Sequence, residues 1–106
     1  MSTFDDRQKE FENKFKHDQE LQFKVVARRN RLLGEWAGGE MGLTGDALQA
    51  YAKDVVMSDF DRPGDDDVLE KVQGDLTAAG IEMAADRLRA KMDDLLGVAK
   101  QQIMAE

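Results

Sequence analysis

Apolar residues in this chain recur at intervals of three and four, and this spacing restricts its fold more than any other feature. Such a period places side chains on one face of an α-helix, whereas a half-buried strand requires strict alternation with polar residues. β-Branched and aromatic residues are sparse and nowhere alternate with polar ones over a useful length. With a single proline and glycines clustered at a few points, the breaks between periodic segments are clear. We therefore predict an all-α protein.

The second half of the chain predicts three antiparallel helices joined by short loops. The first begins after Thr44 as its N-cap and ends near residues 58–60, since its apolar residues follow the spacing of a core-facing stripe. The Asp-Arg-Pro-Gly turn at 61–64 follows. Three aspartates at 65–67 then place negative charge on the exposed amides of the next helix start.

Gly80 is expected to end that second helix in a Schellman motif. Ile81 would then fold back on Leu76, which is the apolar contact that accompanies this type of helix end. A last long helix is predicted from Ile81 to Ile103, because its apolar residues alternate steps of three and four over three heptads.

The segment from Leu21 to Ala37 predicts a fourth helix with an apolar face wide enough to pack on the other three. It is expected to fray or end among Gly38, Gly39 and Gly42, because clustered glycines cost backbone entropy in a helix. Residues 20–106 are thus predicted to form a four-helix bundle.

The N-terminal segment differs in character from this bundle. Residues 4–20 carry ten charges and three apolar side chains, Phe4, Phe11 and Phe15, which lie within a few tens of degrees of one another on a helix. A polar gap at 18–22 separates these rings from the next apolar stripe. We predict that residues 1–19 are mobile and partly disordered, and place their rings in a groove of a partner. The alternative is a helix packed on its own bundle.

Composition excludes several classes of function. The net charge is −7, and only residues 21–42 are basic, so nucleic-acid binding is not expected. Neither an export signal nor an apolar run longer than three residues is present, which argues against membrane insertion. Without cysteine, a reducing compartment, the cytoplasm, is expected. One histidine cannot assemble a triad and no phosphate loop is present, so we expect neither an enzyme nor a cofactor.

Three further features have competing interpretations. Residues 59–70 match five positions of a calcium loop, but Pro63 replaces an expected ligand, so turn formation and helix capping are favoured over a metal site. A calcium-responsive interaction module remains the alternative. The basic run at 24–31 favours intrahelical pairing with Glu20 and Glu35 over an anion site. His17 is interpreted as an exposed bystander rather than a proton switch.

The stretch DQELQFKVVARRNRLLGEWA at residues 18–37 resembles the zeta subunit family, the ATPase inhibitor of alphaproteobacterial F-type ATP synthases. The likeness extends over essentially the whole chain. Further matching stretches are Tyr51-Ala52-Lys53, Pro63-Gly64-Asp65, Lys91-Met92-Asp93 and the ending QQIMAE at 101–106. One departure is GGEM at 38–41, which is more glycine-rich than the family pattern.

This resemblance implies a monomeric four-helix bundle whose mobile N-terminal segment blocks ATP hydrolysis. In that family the segment is thought to insert between the α and β subunits of the catalytic head and against the rotating γ subunit. The protein would then be cytoplasmic and peripheral to the inner membrane. The residues expected to contact the partner are Phe4, Arg7, Phe11, Lys14, Phe15 and His17.

Overall fold

The computed structural model describes the backbone of residues 3–106 and the side chains of residues 6–106, and over this range the protein has five α-helices and no strand. The helices are α1 (Thr3–His17), α2 (Gln19–Glu40), α3 (Gly45–Asp61), α4 (Asp65–Ala78) and α5 (Ala85–Ala105). The predicted all-α class is confirmed. The predicted count of four helices is corrected to five.

The additional helix arises because Asp18 divides the long N-terminal helical segment in two. Asp18 has an extended backbone, and its Oδ1 accepts from the amides of Glu20 (3.0 Å) and Leu21 (3.2 Å) as the N-cap of α2. Its own amide donates to the Lys14 carbonyl at 2.8 Å, which closes the last turn of α1. One aspartate thus ends α1 and caps α2, because its short carboxylate satisfies amides that lack a partner within the helix.

Helix α2 is the centre of the molecule and contacts each of the other four helices. It packs most extensively on α3 and α5, and α4 closes the core against all three. Aliphatic side chains from α2–α5 fill this core at full burial, including Leu33, Val55, Val68, Val72, Leu76 and Leu88. The predicted apolar faces of these four helices therefore meet as expected.

Two glycines allow α2 and α3 to approach closely. A Cβ on Gly34 would lie 2.6 Å from the Ala52 Cα, and one on Gly38 would lie 2.6 Å from Leu48 Cδ1. The helix continues through Gly38 and Gly39 and ends at Glu40, between Gly39 and Gly42. The predicted end of this helix among Gly38, Gly39 and Gly42 is therefore confirmed, and packing against α3 offsets the backbone entropy of the glycines that lie within the helix.

The Schellman ending of α4 is confirmed. Gly80 has a φ of +83°, its amide donates to Thr77 at 3.0 Å, and the Ile81 amide donates to Leu76 at 2.9 Å. The chain then runs extended to Ala84, so α5 begins at Ala85 rather than at the predicted Ile81. Ile81 packs on the core from this connection and not from within a helix.

The connections around α3 and α4 largely follow the prediction. Thr44 is the N-cap residue of α3, although its side chain makes no capping hydrogen bond, and the helix extends to Asp61. The aspartates at 65–67 form the first turn of α4. Among residues 3–106, no helix has the length and apolar content needed to cross a membrane.

Candidate functional site

Helix α1 is held on the body of the protein by a small number of surface contacts. The Gln22 side chain donates from Nε2 to the carbonyls of Phe15 (2.7 Å) and Lys16 (3.3 Å), which are among the last carbonyls of α1. Because α1 ends at His17, no backbone amide of the same helix donates to these carbonyls. The side-chain amide of Gln22 donates to them instead. The bond fixes the end of α1 to the first turn of α2.

Lys100 on α5 provides the second attachment. Its Nζ lies 4.3 Å from the centroid of the Phe15 ring and 3.4 Å from the Glu12 carboxylate. A cation over an aromatic face is attracted by the ring quadrupole, and the carboxylate adds a partly exposed ion pair. One lysine therefore links two successive turns of α1 to the end of the body.

Most of the predicted partner-binding residues are brought together at one groove of α1, and Phe15 lies beside it. Four of them, Arg7, Phe11, Lys14 and His17, line an open groove of about 630 Å³ that Met104 of α5 completes. Phe15 lies outside this groove, against Lys100. The Phe4 side chain is outside the described residues, so its predicted role stays a prediction.

Neither described ring of the N-terminal stripe belongs to the hydrophobic core. Phe11 and Phe15 are half-buried at the surface, while Arg7, Lys14 and His17 are exposed. Helix α1 therefore rests on its own bundle through surface contacts, as the alternative expected, while its described rings stay outside the bundle interior. Aromatic side chains and arginine are among the types that are enriched at protein–protein interfaces.

Sequence reasoning did not predict the residues on which α1 rests. Gln22, Lys100 and Met104 are polar or flexible side chains, and two of them lie more than 80 positions from the rings they adjoin. The ending QQIMAE stood out only through the family resemblance. No local pattern connects such distant residues, because their contact depends on how α5 packs along α2.

The basic run of α2 is used within the fold. Arg31 pairs with Glu35 at 3.7 Å, as predicted from the helical spacing. Arg28 instead reaches α5, donating to Gln102 Oε1 at 2.8 Å and pairing with the Glu106 carboxylate. Arg29 is 2% exposed and pairs with Asp65 at 2.7 Å, which ties α2 to the start of α4.

The carboxylates of the calcium-like loop also have other partners. Asp59 accepts from the Gly64 amide at 3.2 Å, Asp67 pairs with Arg62 at 3.1 Å, and Asp65 pairs with Arg29. Within the described part of the chain, no group of three or more His, Cys, Asp or Glu residues could hold a metal ion. The geometry favours the turn role of these residues, while no side-chain hydrogen bond caps the start of α4.

A helical body with an extra helix attached by few surface contacts, and with aromatic and basic groups at that helix, defines a small binding or regulatory protein. Comparison with known protein families identifies which class of regulatory protein this is. The family model of ATPase inhibitor subunit zeta matches residues 1–102, and the chain belongs to that family. Its members are regulatory rather than catalytic subunits.

The fold is shared with a solved structure. The chain is similar to a protein whose structure was determined by solution NMR, with 44% sequence identity and a TM-score of 0.70. The alignment covers 80% of this chain and 96% of the other. No curated protein matches the chain at comparable stringency.

Proposed function

We propose that this chain inhibits ATP hydrolysis by the F-type ATP synthase by inserting α1 at an interface between the α and β subunits, near the rotating γ subunit. Family membership supports the inhibitor role. One structural observation supports insertion of α1: the Phe11 and Phe15 rings lie outside the core, on a helix that few contacts attach to the body. In this proposal residues 1–19 are the inhibitory segment and residues 20–106 are its carrier.

Release of α1 to a partner exchanges a few surface contacts for burial of aromatic rings. Leaving the body breaks a partly exposed ion pair, a cation–π contact and the Gln22 bonds, each of which contributes about 0.2–1.5 kcal/mol. Burial of a fully exposed aromatic ring in a subunit cleft contributes roughly 1.5–3 kcal/mol, and Phe11 and Phe15 would contribute less because they are already half-buried. Insertion requires that this further burial, together with charge pairing in the cleft, exceeds the cost of release.

The charges of α1 suit a polar-walled cleft. Arg7 and Lys14 are exposed in the structure and are free to pair with carboxylates of the α and β subunits. The isolated 15-residue helix is marginal in water, so the segment would gain its full order only when bound. Inserted between the α and β subunits and the rotating γ subunit, α1 would block rotation sterically and would need no catalytic residue.

Deletion of residues 2–19 tests the proposal most directly. The shortened chain loses the Asp18 cap and the first residue of α2 but retains the rest of α2–α5 and their common core, so we expect a folded protein that no longer inhibits ATP hydrolysis by the isolated catalytic head. Circular dichroism and thermal unfolding would verify that the body is intact. Undiminished inhibition by this variant would refute the insertion mechanism.

A matched pair of full-length variants locates the effect on α1. Phe11→Ala with Phe15→Ala should weaken inhibition by at least about tenfold, since two anchor rings are removed. Met57→Ala with Val98→Ala is the matched control, because both residues are exposed and apolar and lie outside α1 and its groove. Equal inhibition by both variants would contradict a role for the rings.

A further inference from the structure

The two N-terminal helices are separated by a single residue. Of residues 3–40, Asp18 alone lies outside a helix, with φ −107° and ψ 105° in the extended region. Residues 14–22 contain no glycine, proline or β-branched residue, so their side chains favour a helix through this point. Rotation about the backbone of Asp18, chiefly about ψ, would join α1 and α2 into one helix.

The break between the helices loses few hydrogen bonds, because side chains replace them. A continuous helix would add backbone bonds from the amides of residues 19–21 to the carbonyls of residues 15–17. In the bent structure the Asp18 carboxylate accepts from two of these amides, at 3.0 and 3.2 Å. The Gln22 side chain donates to two of these carbonyls, at 2.7 and 3.3 Å. The bent and straight arrangements therefore differ little in hydrogen bonding.

A straight helix cannot keep the contacts that hold α1 on α5. Glu12 lies sixteen residues before Arg28, and Arg28 reaches Gln102 near the end of α5 at 2.8 Å. A continuous helix would carry Glu12 roughly 24 Å beyond Arg28 along its axis, farther than the side chains of Glu12 and Lys100 can span. The 3.4 Å ion pair between them therefore requires the bend at Asp18. The two arrangements exclude each other.

Helix α2 supplies a nucleus for the straight arrangement. An isolated helix of the length of α1 must form its own first turn, and this nucleation cost makes it marginal in water. Extension of α2, which the core holds in place, adds one backbone bond for each residue that becomes ordered. When α1 leaves α5, continuation of α2 is therefore less costly than an independent helix. Such an unpacked extension still opens transiently more often than a docked helix, because no side chain holds it.

We propose that Asp18 is a hinge between two conformers of the free chain. In the bent conformer its carboxylate caps α2, and α1 rests on α5. In the straight conformer residue 18 is helical, α1 continues α2, and the Phe15 ring is free of Lys100. The bent conformer thus restrains α1 on its own body, and the hinge sets how much of α1 is available to a partner. That use of the hinge rests on the function proposed above, whereas the hinge itself does not.

The distance between two spin labels measures the populations of the two conformers. The chain has no cysteine, so Gln8→Cys with Ala90→Cys gives two unique attachment sites at exposed positions. In the bent conformer Gln8 lies beside the groove that Met104 completes, so the two labels are separated by roughly 21 Å along α5. In the straight conformer Gln8 lies roughly 42 Å before Trp36, which Lys91 contacts next to the second label. Straightening should therefore lengthen the label distance by roughly 15–20 Å.

Substitutions at the hinge should shift these populations in the full-length labelled chain. Asp18→Ala removes the cap of α2 and introduces a strong helix former, so the ratio of straight to bent conformer should rise about 2- to 30-fold. Gln22→Ala removes the bonds to the last carbonyls of α1 and should shift the ratio in the same direction. Asp18→Ala combined with Lys100→Ala also removes the contacts with α5, and should make the straight conformer predominant. Asp18→Asn is the matched control, because asparagine caps a helix as well as aspartate does. Thermal unfolding verifies that each variant is folded.

The outcomes separate the hinge from the proposed function. A defined longer distance in Asp18→Ala and in the double variant, with Asp18→Asn unchanged, supports the hinge. Retention of the short distance in the double variant would mean that Asp18 does not set the bend, and a broad distribution would mean that released α1 unfolds instead of continuing α2. Either result refutes the proposal. No measurement of ATP hydrolysis enters this test, so the hinge can fail while the inhibitory mechanism stands, and the reverse.

Discussion

Substitution of Lys100 by alanine should release α1 from the body of the free protein. The lysine side chain contacts both Glu12 (3.4 Å) and the Phe15 ring (4.3 Å). Its removal leaves the Gln22 bonds to the end of α1 in place. The expected result is a larger population of undocked α1 with α2–α5 unchanged.

The magnitude follows from the two contacts. A cation–π contact near the surface contributes about 0.5–1 kcal/mol, and a partly exposed ion pair contributes about 0.2–1 kcal/mol. Together they stabilise the docked state by roughly 1–2 kcal/mol, which corresponds to about a 5- to 30-fold change in the docking equilibrium. Burial of Lys100 at the end of α5 is incomplete, so we expect little effect on the global free energy of unfolding.

Amide hydrogen exchange of the free, full-length protein measures this equilibrium. Exchange over residues 6–17 should accelerate by the same factor in Lys100→Ala, because local opening controls exchange in a weakly attached element. Lys91→Ala is the matched control, since Lys91 lies 5.2 Å from the Trp36 ring and has no contact with α1. On the proposed function, Lys100→Ala should also inhibit at lower concentration, because less free energy is needed to release α1.

Two results would refute this reasoning. One is an unchanged exchange rate over residues 6–17 in Lys100→Ala, which would mean that the lysine does not hold α1. The other is an equal acceleration in Lys91→Ala, which would mean that loosening of α5 as a whole, rather than loss of these contacts, is responsible.

Two further substitutions test the body. Gly34→Ala should lower the free energy of unfolding by about 1–3 kcal/mol in urea titrations, because its Cβ would lie 2.6 Å from Ala52 Cα. Gly74→Ala, where nothing lies within 4 Å of the added Cβ, should raise it by about 0.5–1 kcal/mol, and a loss there would contradict the argument. The pKa of Tyr51 lies above its ordinary value of 10.0, first because the side chain is partly buried and second because it donates a hydrogen bond to Asp75. The neutral phenol therefore stabilises the folded state fully below about pH 10, and this contribution declines as the pH rises further. Tyr51→Phe should remove that part of the alkaline loss, and identical pH profiles of unfolding would exclude it.

Local chemistry made several elements predictable from the sequence. Gly80 ends α4 as expected because only a residue without Cβ adopts its φ of +83° at low cost. The aspartates at 65–67 begin α4 because their charge suits the free amides of a helix start. The ring stripe of α1 was likewise visible, since helical geometry alone places Phe11 and Phe15 on one face.

Other features depended on specific side-chain contacts that the helical spacing does not show. Asp18 was read as part of a continuous helix, although its carboxylate caps α2 and separates it from α1. The connection after Ile81 carries helical spacing but lies outside any helix, where Met83 is buried and its carbonyl accepts from Gln73 at 3.0 Å. In both places a specific hydrogen bond outweighs the local helical preference.

The sequence by itself determined the all-helical class, the apolar faces of the bundle helices and the aromatic stripe of the N-terminal segment. Each of these follows from the spacing of residues along a single helix. Only the tertiary structure decided that α1 rests on Lys100 and Gln22, that Gly34 admits α3, and that the buried Arg29 pairs with Asp65 at the start of α4. These features join residues from different helices, so they depend on packing distances that no local pattern encodes.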